Sequence, residues 1–239
     1  MKKNKVGQIG KGSFGKKILS KLEKMPDVSV EWVYGSEDKW WESDVDLDWV
    51  IIASPNEFHY EQAEHYLGEG VNVFCEKPGT LSSESLAELI ELSKINDVCF
   101  YIDDVLIYED ILPISDFVYK KWGGSFANII DRMAYHHFYL TYDMFEDFVD
   151  GIPTNINVIT NDIRHKIFEV EFDDLKFRYE YDFGWYKEKV HTITSRFSGD
   201  ALETMLTKVL HKDADFELNH RRSLFATRLS ELVKSSLYG

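Results

Sequence analysis

Short apolar runs alternate with amphipathic stretches over the first hundred residues of the chain. Continuous apolar strands separated by helices are typical of a parallel sheet that helices cover on both faces. A third strand–helix pair is compressed into residues 39–46, where Trp40 and Trp41 are predicted to pack on the sheet. The pattern predicts an α/β domain over residues 1–104, with strands at 6–9, 28–34, 48–53, 71–75 and 98–102 and helices at 15–24, 58–67 and 82–94.

The pattern changes after residue 104, where strands follow one another before two final helices. Along one of these strands Phe168, Val170 and Phe172 alternate with Glu169 and Glu171, which predicts one apolar and one solvated sheet face. This order predicts a C-terminal α+β domain over 105–239 with a mainly antiparallel, open sheet. Its predicted helices cover 107–119, 142–149, 201–210 and 223–237, and its strands 125–130, 155–160, 167–172, 175–181 and 190–196.

A glycine-rich turn joins the first predicted strand to the first predicted helix. In Gly10-x-Gly12-x-x-Gly15, the first glycine permits a tight turn, the second admits a pyrophosphate, and the third packs helix on strand. The helix start, with Ser13 and Phe14, offers backbone N–H groups to phosphates. An ordinary turn is the alternative, but the flanking strand and amphipathic helix favour a Rossmann dinucleotide-binding domain.

Charge and composition limit the classes of binding partner and the compartment expected for this chain. The 239 residues carry a formal net charge of −15, which disfavours nucleic acid and an anionic membrane surface. Cys75 and Cys99 lie in apolar runs and are interpreted as reduced core residues. No apolar stretch approaches the roughly 18 residues of a membrane span, and no signal segment is evident. We expect a soluble, cytoplasmic protein.

A second motif follows the strand at 71–75, where the chain reads Glu76-Lys77-Pro78. Upstream, the strand at 48–53 ends in Ser54-Pro55-Asn56, with His59 three residues later. In this order and spacing, residues 5–95 resemble the glucose-fructose oxidoreductase/inositol dehydrogenase (Gfo/Idh/MocA) family. The chain is similar to a short member with a divergent C-terminal domain.

The resemblance implies reversible hydride transfer between a nicotinamide cofactor and a secondary alcohol or ketone of a sugar, cyclitol or nucleotide-sugar. It implies that Lys77 touches the nicotinamide ribose and a substrate hydroxyl, where an ammonium can donate to the reacting oxygen. Glu76 would hold Lys77 in position and Pro78 would shape the turn. It also implies a homo-oligomer, a dimer or tetramer formed through the C-terminal sheet.

Simpler interpretations of the same residues stay open. Glu76 and Lys77 could form a surface pair before a helix. The turn of Ser54, Pro55 and Asn56 would border the cofactor, or Asn56 would cap a helix. His59 would line the cofactor site, or would be a packed or capping histidine.

The cofactor's ribose is expected to meet the end of the second strand. Ser36 and Lys39 suit the 2′-phosphate of NADP, whereas Glu37 or Asp38 suits the 2′-hydroxyl of NAD. The sequence leans to NADP.

The chain departs from the family's usual second-domain motif, a His-x-x-Asp in which the histidine acts as acid or base. Here His136 and His137 lack an aspartate three residues later, and Asp143 is a weaker candidate orienter. Either histidine is a candidate catalytic proton carrier beside Lys77, and a pair of structural histidines is an equal alternative. We expect no metal site from them. The altered motif raises a rival hypothesis, a catalytically inactive dinucleotide-binding sensor or partner protein.

Overall fold

The computed structural model describes residues 3–35, 38–43, 45–121, 129–147, 149, 151–184, 188–193, 195 and 197–239. The chain divides into two compact units. The first contains Met1–Val105 and Gly199–Leu224, and the second contains Leu106–Ser198 and Phe225–Gly239.

A five-stranded parallel sheet forms the centre of the first unit, in the order β2-β1-β3-β4-β5. The order reverses between β1 and β3, and ligands of open α/β sheets bind at the carboxyl ends of strands on either side of such a point. The strands are β1 (Asn4–Ile9), β2 (Val28–Tyr34), β3 (Trp49–Ile52), β4 (Asn72–Cys75) and β5 (Phe100–Ile102). The helices are α1 (Ser13–Leu22), α2 (His59–Gly68), α3 (Ser83–Ile95) and α5 (Ala201–Leu210).

Apolar side chains from the strands and from α2 and α3 form one buried core in this unit. All four residues of β3 are buried, as a strand covered on both faces requires. The compressed segment after β2 contains a 3₁₀ turn, Trp40–Glu42. Trp40 is buried in the core as predicted, whereas Trp41 is 49% exposed and does not pack there.

The second unit contains a mixed, mainly antiparallel sheet in the order β10-β6-β9-β8-β7, in which only β6 and β9 pair in parallel among the described strands. Every second residue of β8 is buried, which confirms the predicted alternation. The elements are β6 (Asp116–Lys120), a π-helical turn (Ile130–Ala134), α4 (Tyr135–Phe145), β7 (Asn155–Asn161), β8 (His165–Phe172), β9 (Leu175–Asp182) and β10 (Val190–His191). The last helix, α6 (Phe216–Tyr238), begins in the first unit and ends in the second.

The two sheets confirm the predicted fold class, but several element predictions after residue 104 were wrong. The segment 107–119 is not a helix, because it contains a 3₁₀ turn (Val105–Glu109) and then β6. The helix predicted at 142–149 is α4, which begins seven residues earlier, and α6 likewise begins before residue 223. The strand predicted at 125–130 falls mostly outside the described residues, and its last residue starts the π-helical turn.

The domain boundary predicted at residue 104 stays a prediction. The division into compact units differs from it, because residues 199–224 return to the first unit. There the side chain of Asn219 bonds both backbone groups of Ile102, with Oδ1 accepting from its N–H at 3.0 Å and Nδ2 donating to its oxygen at 2.7 Å.

Candidate functional site

The glycine turn after β1 has the close contacts that a tight strand–helix connection requires. Gly10 has a φ of +108°, and a Cβ there would lie 2.1 Å from the carbonyl oxygen of Ala53. A Cβ on Gly15 would lie 2.4 Å from the oxygen of Gly10. Both positions therefore exclude any larger residue for steric reasons.

Gln8 stabilises this turn and was not recognised in the sequence. Its buried side chain donates through Nε2 to the carbonyl oxygens of Gly10 (2.9 Å) and Gly15 (3.1 Å). The signal available in the sequence was a polar residue inside an otherwise apolar strand. Because the carbonyl oxygens at both ends of the turn accept from the Gln8 amide, the turn is held in shape without a bound ligand.

The backbone at Gly12 is open to a ligand. A Cβ on Gly12 would meet no atom of the described chain within 4 Å, so a ligand can approach the backbone there. Gly12 is the N-cap of α1 and supplies no side-chain cap, and the first turn, with Ser13 and Phe14, contains no acidic residue. Uncapped N–H groups at a helix start bind phosphate readily.

An acidic side chain stands where the cofactor's ribose is expected, after β2. Asp38 accepts the backbone N–H of Gly35 at 2.6 Å and pairs with Lys11 of the glycine turn at 3.2 Å. The Gly35 N–H first and Lys11 second lower the pKa of this carboxyl below its ordinary value. Lys39 pairs instead with Glu42 at 2.7 Å, and Ser36 lies outside the described residues.

The turn after β3 lies beside the glycine turn. Ser54 is buried, and its hydroxyl donates to Oε1 of Gln62 at 2.6 Å. Pro55 is exposed and Asn56 half-buried. Asn56 begins a 3₁₀ turn before α2, whose N-cap is Phe58, so the alternative interpretation of Asn56 as a helix cap was wrong.

The turn after β4 contains a buried ammonium group. Lys77 is 7% exposed, and its Nζ lies 3.9 Å from Oε1 of Glu76. The Lys77–Pro78 peptide bond is cis. This environment differs from the alternative of an ordinary surface pair, because the lysine side chain is almost wholly removed from solvent.

Asp103 places a buried carboxyl at the next strand end. Its backbone N–H donates to the oxygen of Cys75 at 2.8 Å, and its Oδ1 accepts the N–H of Val105 at 3.0 Å. Burial, reinforced by the charge of Glu76, raises its pKa to about 7, against the lowering effects of the Val105 N–H and Lys77. Sequence reasoning missed this residue, although an acid directly after an apolar strand was a readable signal.

The neighbouring residue, Asp104, is held in a buried network of one ion pair and two side-chain hydrogen bonds. It is buried, pairs with Arg222 at 3.1 Å, and accepts the hydroxyl of Tyr101 at 2.5 Å and the amide of Asn219 at 3.1 Å. Burial raises its pKa, opposed first by the Tyr101 hydrogen bond. A buried pair of this kind is costly to break, because one charge would be left alone.

The two candidate histidines belong to the second unit. His137 is buried, with Nδ1 2.8 Å from the Tyr181 hydroxyl and Nε2 3.0 Å from Nε2 of His191. Burial holds the pKa of His137 well below its ordinary value and lowers that of His191 to about 4, so both rings are neutral at pH 7. His136 is half-buried, with Nδ1 2.9 Å from the Tyr139 hydroxyl. Their predicted catalytic roles stay predictions.

One other cluster in the second unit has metal-ligand chemistry. Single ligand atoms of His165, Glu180 and Asp182 lie within 4.8 Å of one another. Glu180 is already paired with Lys120 at 2.6 Å and with Arg178 at 2.8 Å. A cation there would have to displace charges that the protein already supplies, so we assign no metal to it.

A sequence profile of an oxidoreductase family with an NAD-binding Rossmann fold matches residues 20–103. An uncharacterized oxidoreductase of Streptococcus pneumoniae is 29% identical over 119 residues, which are 43% of this chain and 32% of that protein. The NADP⁺-dependent scyllo-inositol 2-dehydrogenase IolU of Bacillus subtilis is 43% identical over 52 residues, 22% of this chain and 16% of that protein. The matched segments thus span a third or less of these relatives' lengths.

The fold also matches solved structures. The WlbA (WbpB) dehydrogenase of Thermus thermophilus, in complex with NAD and α-ketoglutarate, superposes with a TM-score of 0.77 over 97% of this chain and 95% of its own. At 17% identity this likeness concerns the fold alone. Within the described part of the chain, no helix combines the length and apolar character needed to cross a bilayer.

Proposed function

Because residues 20–103 match the oxidoreductase family profile, we propose that the chain is a Gfo/Idh/MocA oxidoreductase that transfers hydride between a nicotinamide dinucleotide and a secondary alcohol or ketone of a small, sugar-like substrate. The observation that carries this proposal is the buried Lys77 ammonium beside Glu76, in the same unit as the glycine turn. A surface lysine would need no such burial, since charge is costly to remove from water.

The dinucleotide would lie over the glycine turn, with its pyrophosphate at Gly12 and the start of α1. We propose NAD, in contrast to the sequence's lean to NADP. Asp38 supports this choice, because a carboxylate suits a ribose 2′-hydroxyl and repels a 2′-phosphate. The pairing of Lys39 with Glu42 supports it further, since that ammonium already has an acidic partner.

When bound, the nicotinamide ring supplies the hydride acceptor or donor, which no side chain can replace. Lys77 would donate a hydrogen bond to the substrate oxygen and stabilise the negative charge that develops there. Glu76 would keep the ammonium in place. Asp103, with a pKa of about 7, would hold or release a proton beside Lys77 near neutral pH.

The rival function, a dinucleotide-binding sensor without turnover, is favoured by one observation. His137 lies inside the core of the second unit with Tyr181 and His191 as partners, an environment that suits packing. Lys77 and Asp103 in the first unit favour the enzyme.

The first test is a titration with NADH and NADPH, followed by nicotinamide fluorescence, and then a turnover screen of sugars, cyclitols and sugar nucleotides. We expect NADH to bind more tightly, and Asp38→Ser to reduce that preference. Failure of both nucleotides to bind would refute the dinucleotide site.

Lys77→Ala separates the two functions. We expect it to abolish turnover and to leave NADH binding largely intact, whereas Lys24→Ala, at an exposed lysine of the same unit, should change neither. Binding without any turnover in the unaltered protein would support the sensor, and unchanged turnover in Lys77→Ala would refute the role of Lys77.

We also propose a cytoplasmic location and a homo-oligomer formed through the second sheet. Both described cysteines, Cys75 and Cys99, are free thiols, as expected in a reducing compartment. The proposed interface is the face of the second sheet that points away from its core.

A further inference from the structure

His59 has an unusual pair of hydrogen-bond partners. It is the first residue of α2 and is fully buried. Its Nδ1 lies 2.8 Å from the carbonyl oxygen of Pro78, and its Nε2 lies 2.9 Å from that of Ser54. The ring therefore joins the turn after β3 to the turn after β4.

The chemistry of these two partners fixes the number of protons on the ring. A backbone carbonyl oxygen only accepts, and a neutral imidazole has a single N–H. In the neutral form, one ring nitrogen would direct its lone pair at a carbonyl oxygen less than 3 Å away, in a buried place without compensation. With both nitrogens protonated, each carbonyl receives a charge-assisted hydrogen bond.

We infer that His59 is an imidazolium that cross-links these two turns and acts as a positioning residue for Lys77, which immediately precedes Pro78. The charged side chains at the neighbouring strand ends are Glu76, Lys77 and Asp103. The positioning role rests on the proposed function, whereas the protonation state does not.

A second histidine of the same unit provides an internal comparison. His220 is partly buried, and its Nε2 lies 2.7 Å from the carbonyl oxygen of Phe100. This hydrogen bond involves one nitrogen and one carbonyl, which a neutral ring satisfies. Burial lowers its pKa, so the neutral form is expected at pH 7.

The protonation states can be read directly by long-range ¹H–¹⁵N correlation spectra of the full chain, labelled at histidine, at neutral pH. His59→Gln and His220→Gln assign the two sets of ring signals. We expect hydrogens on both nitrogens of His59 and on one nitrogen of His220. A single protonated nitrogen at His59 would overturn the inference, and this result is independent of any enzymatic activity.

The positioning role is tested by two substitutions of different chemistry. His59→Phe keeps a ring but removes both donors, whereas His59→Gln keeps an N–H donor without charge. We expect kcat to fall at least about tenfold in His59→Phe, to recover partly in His59→Gln, and NADH affinity to change less than kcat.

His65→Gln is the matched control on the same helix, because the described contacts of His65 are with the rings of Trp40 and Tyr66. Unchanged kcat in a folded His59→Phe protein would overturn the positioning role. If the unaltered protein has no turnover, the proposed function fails, and the spectra still decide the protonation state.

Discussion

Two carboxyl groups share the neighbourhood of one ammonium at the carboxyl edge of the first sheet. The charge of Glu76 raises the pKa of Asp103 and that of Lys77 lowers it, while burial is the largest influence. The net result is a buried acid that gains a proton far more readily in the folded chain than in water. Such a group makes the stability of the fold depend on pH.

Asp103→Asn should change that dependence. A carboxyl with a pKa of 3.8 unfolded and about 7 folded binds more protons in the folded state, so stability falls as pH rises through this window. Removing the acid should make the free energy of unfolding depend less on pH. The difference should amount to at most about 4 kcal/mol over roughly three pH units. Urea unfolding of both proteins between about pH 4 and pH 7.5 measures it.

The exposed Asp213→Asn serves as the control, since that side chain lies at the surface. Identical pH slopes for the unaltered chain and Asp103→Asn would show that Asp103 titrates as an ordinary surface acid.

The glycines of the turn differ in the room they leave for a side chain, so a substitution at Gly12 can test cofactor binding without disturbing the fold. A methyl group on Gly12 meets no atom of the described chain, whereas one on Gly15 collides with the Gly10 carbonyl. We therefore expect Gly12→Ala to keep the melting temperature within a few degrees but to weaken NADH binding at least about tenfold, which calorimetry would measure. Gly15→Ala should lower the melting temperature. Full NADH affinity in Gly12→Ala would place the pyrophosphate elsewhere.

Elements with strong local signals were predicted well. The strands of the first sheet could be predicted because their apolar runs are continuous. The helix predicted from residue 82 is α3, and Ser82 caps it by accepting the N–H of Ser85. The glycine turn and the Glu76-Lys77 segment were identifiable by motif. The bridging role of His59 and the burial of Asp103 depend on neighbours from other strands, which one sequence does not display.

The failed prediction at 107–119 has an identifiable cause. Pro113 lies inside this segment, and proline cannot donate within a helix, so the apolar spacing alone was misleading. Phe117 and Tyr119 instead alternate toward the core of the second unit in β6. That strand pairs with β9, some sixty residues later, which local periodicity could not reveal.

Asp200 allows the contribution of the α5 N-cap to stability to be tested. Its Oδ1 accepts the N–H of Glu203 at 3.0 Å as the N-cap of α5, and its other oxygen pairs with Lys21. Asp200→Ala should lower the free energy of unfolding by about 1 kcal/mol. Asp200→Asn, which keeps the cap, should lower it by less, and an equal loss in both would assign the effect to the ion pair. Denaturant unfolding measures both.

At the scale of the molecule, the second sheet has two unlike faces. Its apolar face forms a core with α4 and α6, as in the contacts of Phe138 and Phe225. The other face of the sheet carries cross-strand ion pairs, such as Lys176 of β9 with Glu169 of β8 (3.0 Å) and Arg178 of β9 with Asp116 of β6 (3.2 Å). Any interface through this sheet would therefore be polar.

If copies associate through this charged face, salt should weaken the association. The screening length falls from about 10 Å at 0.1 M ionic strength to about 3 Å at 1 M. Sedimentation velocity should therefore detect an oligomer at low salt and a larger share of monomer at high salt. Arg178→Glu should shift the equilibrium in the same direction. A monomer at every protein concentration would refute the proposed oligomer.

The return of residues 199–224 to the first unit has a consequence for synthesis. Asp104 is buried against Arg222, and Ile102 is paired on both sides by Asn219, although more than a hundred residues separate the partners. A ribosome that has released only the first 105 residues has delivered every strand of the parallel sheet but not these partners. The first unit should therefore be completed only after residues 199–224 have also emerged.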